Sequence, residues 1–245
     1  MLLCALLACA PAAAETAKYS PVDKAVAVPL SSDNAYFRAA AAPDYWALAP
    51  FYAQQYNGYA CSAASAAMAL NALLNAGRAR GDAARNIDQR ELAGKAPGLH
   101  WKELVSDEGW QGRHGVTLAQ LGQAVRESLA AYGAAGYTVR VATAAGNAAE
   151  GLESFRQALA ANERGAGDIM LLHFAQDAVT GAPGGPYPHV SPVGAYDART
   201  RRVLVMDVDR EWYEPYWVSD IQLYKAMAVR TPAFGRGGYV VIRRK

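Results

Sequence analysis

With 245 residues, 52% hydrophobic and 19% charged, the chain can bury one substantial core, as a single domain or as two. The 24 Lys and Arg nearly balance the 22 Asp and Glu, and a formal charge of +2 argues against a polyanionic partner such as nucleic acid.

Residues 1–14 carry no charge and run through Leu2, Leu3, Leu6 and Leu7 into a stretch of Ala and Pro, the apolar core and small-residue end expected of a signal peptide, although the basic start is missing. Leu6-Leu7-Ala8-Cys9 also has the pattern of a bacterial lipobox. The expectation is an exported protein, periplasmic or secreted, either soluble or anchored to a membrane through lipidated Cys9. No later stretch reaches the roughly 18 uninterrupted apolar residues of a membrane span. Cys4 and Cys9 fall in this export segment, so Cys61 is the only thiol of the remaining chain. A single thiol in an oxidising compartment implies deep burial or a chemical role.

Residues 15–35 mix Pro, Ser and charge without periodicity and read as an N-terminal arm; residues 36–245 form the folded domain. Ala60–Asn75, rich in Ala and Leu on nearly every face and ending before Gly77, predicts a central buried helix. Residues 77–90 read as a surface loop. Amphipathic stripes predict helices over Thr117–Tyr132 and Ala148–Asn162, with capping-box spacing at Thr117/Gln120 and Asn147/Glu150. Strands are predicted over Tyr137–Ala142, Asp168–Phe174, His189–Tyr196, Val203–Val208 and Tyr239–Arg243, with a hairpin turn at Asp197–Arg201. Early helices and late strands give an α+β class with a mostly antiparallel sheet.

Cys61 opens the central helix, where unpaired N–H groups and the helix dipole favour a thiolate. By position alone it is more simply a small buried hydrophobe; its neighbours shift that balance. Gln55 lies six residues earlier, ahead of Asn57-Gly58, and an amide there can join the Cys61 backbone N–H in binding an oxyanion, with Gln54 as the competing residue. A thiolate needs an imidazole. Of four histidines, His173 lies in an apolar strand as a core histidine would, and His100 and His114 lie in polar loops. His189 opens a strand after a Gly-Gly-Pro turn, with both support and access. Asp207, at the end of an apolar strand, needs a partner such as an imidazole N–H. Strand alternation leaves Asp207 and Asp209 equivalent for that role.

Three segments, Gln55–Cys61 continuing through Leu70-Asn71-Ala72-Leu73, His189–Gly194, and Asp207–Arg210 through Trp217-Val218, together resemble phytochelatin synthase. The resemblance runs from about Tyr36 to Ile242. It includes the Gln six residues before the Cys, the acid eighteen residues after the His, and Gly235-Arg236-x-Gly238-Tyr239. It implies a papain-like cysteine protease fold and selects Asp207 over Asp209. It further implies that Cys61 attacks the Cys–Gly amide of glutathione, His189 protonates the leaving glycine, Asp207 orients the imidazole and Gln55 stabilises the oxyanion. Arg210, and more weakly Arg236, would hold a substrate carboxylate. No tightly bound cofactor or protein-held metal is implied; Cd or Zn would enter as metal–glutathione complexes of the substrate. The cysteine-rich region of the plant enzymes has no counterpart, Pro188 replaces the usual glycine before the histidine, and Asn57-Gly58 replaces the usual acidic and proline residues. By resemblance to short bacterial relatives, hydrolysis to γ-glutamylcysteine is expected over transfer to a second glutathione. Two alternatives remain: another exported papain-like peptidase or acyltransferase, and a catalytically silent protein binding glutathione or metal thiolates.

Overall fold

The computed structural model describes residues 27–74, 86–144 and 148–245, and its strands form one large sheet and a small ribbon. The expected signal peptide, the lipobox at Cys9, residues 15–26 of the arm, most of the 77–90 loop and Asn147 lie outside the described residues. Strands β1 (Ala27–Pro29), β2 (Tyr137–Thr143), β3 (Asp168–Ala175), β4 (Pro188–Asp197), β5 (Arg202–Val205), β6 (Tyr216–Ser219) and β9 (Gly238–Arg244) form one sheet in the order β1-β6-β5-β4-β3-β9-β2. Every pairing in it is antiparallel. Strands β7 (Arg230–Thr231) and β8 (Gly235–Arg236) make a separate two-stranded ribbon. The end of the expected arm thus supplies the sheet's edge strand.

All eight residues of β3 are buried. Besides the short helices α1 (Pro43–Leu48), α3 (Gln89–Ala93), α4 (Trp101–Leu104) and α7 (Asp177–Thr180), four longer ones cover the sheet: Ile169 and Leu171 pack into one core with α2 (Cys61–Leu74) and α5 (Leu118–Ala131), whereas Met170, Leu172 and Phe174 point to the opposite core with α6 (Ala148–Asn162) and α8 (Asp220–Ala228). Helices on both faces explain why β3 reads as an unbroken apolar run rather than an alternation.

Helix α2 is buried nearly all round, as its composition predicts, and its few polar groups are all answered. Trp101 Nε1 donates to Ser62 Oγ (3.0 Å), and Ser65 Oγ donates to the Val190 carbonyl (2.9 Å), tying the helix to β4. Asn71 clamps the Ile87 backbone through both its amide atoms (2.9 and 2.8 Å). Helix α5 starts at the predicted cap, with Thr117 and Gln120 bonding each other's backbone N–H. A Cβ on Gly122 would sit 2.3 Å from Val141 Cγ2, so α5 lies closer to β2 than any other residue permits.

The predicted strand over Val203–Val208 ends at Val205. Beyond it the Met206 N–H still reaches Pro192 O (2.9 Å), but the Val208 N–H turns to the Ser191 hydroxyl and the Val208 carbonyl accepts from the Gln55 N–H (2.9 Å). The chain therefore peels off β4 at Asp207.

Candidate active site

Antiparallel order brings the end of β3, the start of β4 and the end of β5 to one end of the sheet, and α2 points its N-terminus at that end. Cys61 is the first residue of α2, His189 the second of β4, and Asp207 lies just past β5. His189 Nε2–H donates to Asp207 Oδ1 (2.8 Å), with Ser191 Oγ at 3.0 Å from the same nitrogen. That leaves Nδ1 to serve the Cys61 sulfur, which lies near enough to raise the proton affinity of the imidazole. Cys61 is 8% exposed, His189 5% and Asp207 not at all, so reagents reach the thiol only through the cleft described below.

Asp207 is an anion held by donors. Besides His189 it accepts from Gln176 Nε2 (3.0 Å), the Tyr216 hydroxyl (2.9 Å) and the Asp209 N–H (2.9 Å). Burial opposes its ionisation, yet the His189 charge and these bonds prevail and hold its carboxyl below the ordinary value. Burial likewise opposes the imidazolium of His189. The charge and hydrogen bond of Asp207, joined by the Cys61 sulfur, outweigh it and hold the ring well above its usual 6.5. The pair is built to keep a proton on the imidazole.

A cleft of ≈ 770 Å³ opens onto Cys61 and His189. Gln55 lines it and is 8% exposed, its backbone fixed by the bond to Val208, whereas Gln54 is exposed and offers only its carbonyl to Gln89. His173 also lines it, with Nε2–H on the Val116 carbonyl (2.9 Å); burial lowers its pKa and keeps the ring neutral. His114 lines the rim, stacked on Tyr59 (3.9 Å), while His100 stacks on Trp110 away from the cleft.

Neither Arg210 nor Arg236 lines the cleft. The Arg210 guanidinium lies over the Tyr52 ring (4.5 Å) and bonds the Tyr52 carbonyl, and Arg236 is exposed on the β7–β8 ribbon. The arginine that does line it is Arg113, in a polar loop that gives no sequence signal. Gln176 and Tyr216 were equally silent, being brought to Asp207 by sheet order. Ser191, two residues from His189 on the same strand face, was readable from alternation. Among the described residues no three His, Cys, Asp or Glu side chains converge as a metal site, and no helix is long and apolar enough to cross a membrane.

A thiol at a helix N-terminus, an imidazole and an orienting carboxylate around a cleft define the constellation of a cysteine nucleophile. The chain belongs to the phytochelatin synthase family, whose profile matches residues 21–238. It is also similar to glutathione gamma-glutamylcysteinyltransferase 3 of Lotus japonicus, 40% identical over 57 residues. That match covers 23% of this chain and spans about 12% of the relative's length.

Proposed function

We propose that the protein is a papain-like cysteine enzyme that cleaves the Cys–Gly bond of glutathione through a γ-glutamylcysteinyl thioester. The observation that carries this reading is the series Cys61–His189–Asp207, with His189 bonded to Asp207 and both Cys61 and His189 opening onto the cleft, in a chain of this family. The Cys61 thiolate adds to the cysteinyl carbonyl, and the oxyanion formed is met by the Cys61 N–H and the Gln55 amide. The His189 imidazolium gives its proton to the glycine nitrogen, the C–N bond breaks, and glycine leaves. Neutral His189 then takes a proton from the attacking water; the thioester breaks to γ-glutamylcysteine and the thiolate returns. An acceptor glutathione amine in place of water would give a phytochelatin. Hydrolysis is the favoured outcome by resemblance to short bacterial relatives. Cd or Zn would act through the substrate's own thiolates, and the protein would be exported, as a periplasmic, secreted or lipid-anchored form.

The test is incubation of the protein and its Cys61→Ala variant with reduced glutathione, with and without Cd²⁺, and mass spectrometry of the products. Glycine and γ-glutamylcysteine from wild type alone are expected. Longer (γ-Glu-Cys)n-Gly products would make transfer the main reaction. Intact glutathione would sink the reading and favour another peptide substrate or a binding role.

A further inference from the structure

Among the described residues that line the cleft, Asp209 is the only carboxylate and Arg113 the only Lys or Arg. Asp209 takes no part in holding His189 directly: its N–H donates to Asp207 Oδ1, and the Gln176 amide beside it is committed to Asp207. The Asp209 carbonyl accepts the N–H groups of Trp212 (3.0 Å) and Tyr213 (2.9 Å), so one tight turn brings a carboxylate and two aromatic residues into the cleft lining. Trp212 is 52% exposed there. A carboxylate beside an exposed indole suits an ammonium group, which gains an ion pair and a cation–π contact together. Burial, with the charges of Asp207 and Glu211, raises the Asp209 pKa despite the opposing pull of His189, and an ammonium beside it would favour its ionised form.

We infer that Asp209, with Trp212, forms the subsite that binds the α-ammonium of the γ-glutamyl residue of the acyl donor, and so selects that residue over acyl groups without the amine. This rests on the glutathione-cleaving reading above. The ammonium lies roughly seven bonds, or 8 Å of extended chain, from the carbonyl attacked by Cys61. Asp209 lines the same cleft as Cys61 and feels the charge of His189, which places it within reach of that span.

The experiment compares initial glycine release from glutathione and from glutaryl-Cys-Gly, the same molecule without the α-amine, with no added acceptor. Wild type is expected to prefer glutathione in kcat/KM by about tenfold or more, the scale of one charged hydrogen bond. Asp209→Asn should bring that ratio toward one, and Asp209→Glu should restore part of it. A wild-type ratio of one overturns the subsite, as does an Asp209→Asn variant that slows both substrates equally, the mark of a residue that merely supports Asp207. Calorimetric binding of the two compounds to Cys61→Ala protein, with Asp209 intact, reads the same preference without relying on the folding of the variants; equal affinities overturn the proposal. Failure of wild type to cleave glutathione overturns the reading of function and this subsite with it, whereas cleavage without discrimination overturns the subsite alone.

Discussion

The proton on His189 is the property most directly set by single residues. Because Asp207 and the Cys61 sulfur hold the ring above its ordinary value, the imidazolium persists past neutrality and gives up its proton only on the alkaline side. The alkaline limb of kcat/KM is therefore expected well above pH 6.5. Asp207→Asn replaces the charge by an amide, so that limb should move to lower pH and kcat should fall on the order of 10²-fold. An unmoved alkaline limb in the variant would show that Asp207 does not set the proton affinity of the ring. The residue types and spacings at Cys61, Gln55 and His189 were legible because helix start, loop and strand mouth are local features. The choice between Asp207 and Asp209 was not, because alternation assumes a continuing strand. The chain leaves the ladder after Val205, and this sends one carboxylate inward to His189 and the other to the cleft. The carboxylate's other holders, Gln176 and Tyr216, come from β3's exit and β6, and no local pattern announces such a register.

Elements long enough to show a period were readable, and short ones were not. Helix α6 spans the predicted Ala148–Asn162, α5 lies one residue inside each predicted end, and β3 and β4 extend the predicted ranges by a residue or so. Strand β1 has three residues and β6 four, too few for alternation to register, and their strand character comes from pairing with each other. Helix α8 follows β6 from a Ser219 cap that accepts the Gln222 N–H; its nine residues complete the second face of the sheet. The predicted helix α5 carries a constraint that its pattern does not display. Gly122 costs helix propensity of about 1 kcal/mol relative to Ala, yet the Val141 methyl occupies the place of its side chain. A β-branched neighbour in a strand cannot swing aside cheaply. Gly122→Ala is therefore expected to destabilise the fold by about 1–2 kcal/mol net, overpacking exceeding the propensity gain. Denaturant unfolding would measure it, and a stabilised variant would mean that α5 can lift from β2 without loss.

At the scale of the whole molecule, a pH coupling of stability outside the catalytic series lies at Asp44 in the short helix Pro43–Leu48. Asp44 is fully buried, near the charges of Glu163 and Asp168, and takes one hydrogen bond from the Asn162 amide at the end of α6, so burial pushes its pKa up to about 9. One oxygen of Asp44 and the oxygen of Asn162 have no partner, which suits a neutral group better than an anion. The unfolded chain releases this proton near 3.8, so between there and about 9 the folded state holds one proton more. Stability thus falls as pH rises through that window, by up to ~1.4 kcal/mol per pH unit from this group alone. His189 also loses stabilisation as pH rises through its raised folded value, but in wild type and variant alike, so it cancels from their difference. Asp44→Asn keeps the size, cannot ionise, and offers an amide donor to the unpartnered Asn162 oxygen. The variant is expected to match wild type near pH 4 and to exceed it by a few kcal/mol at pH 8, the gap widening steadily between. Unfolding curves taken across that range give the gap directly. A constant difference would mean that Asp44 is already ionised in the fold, and that the short helix Pro43–Leu48 tolerates a buried charge.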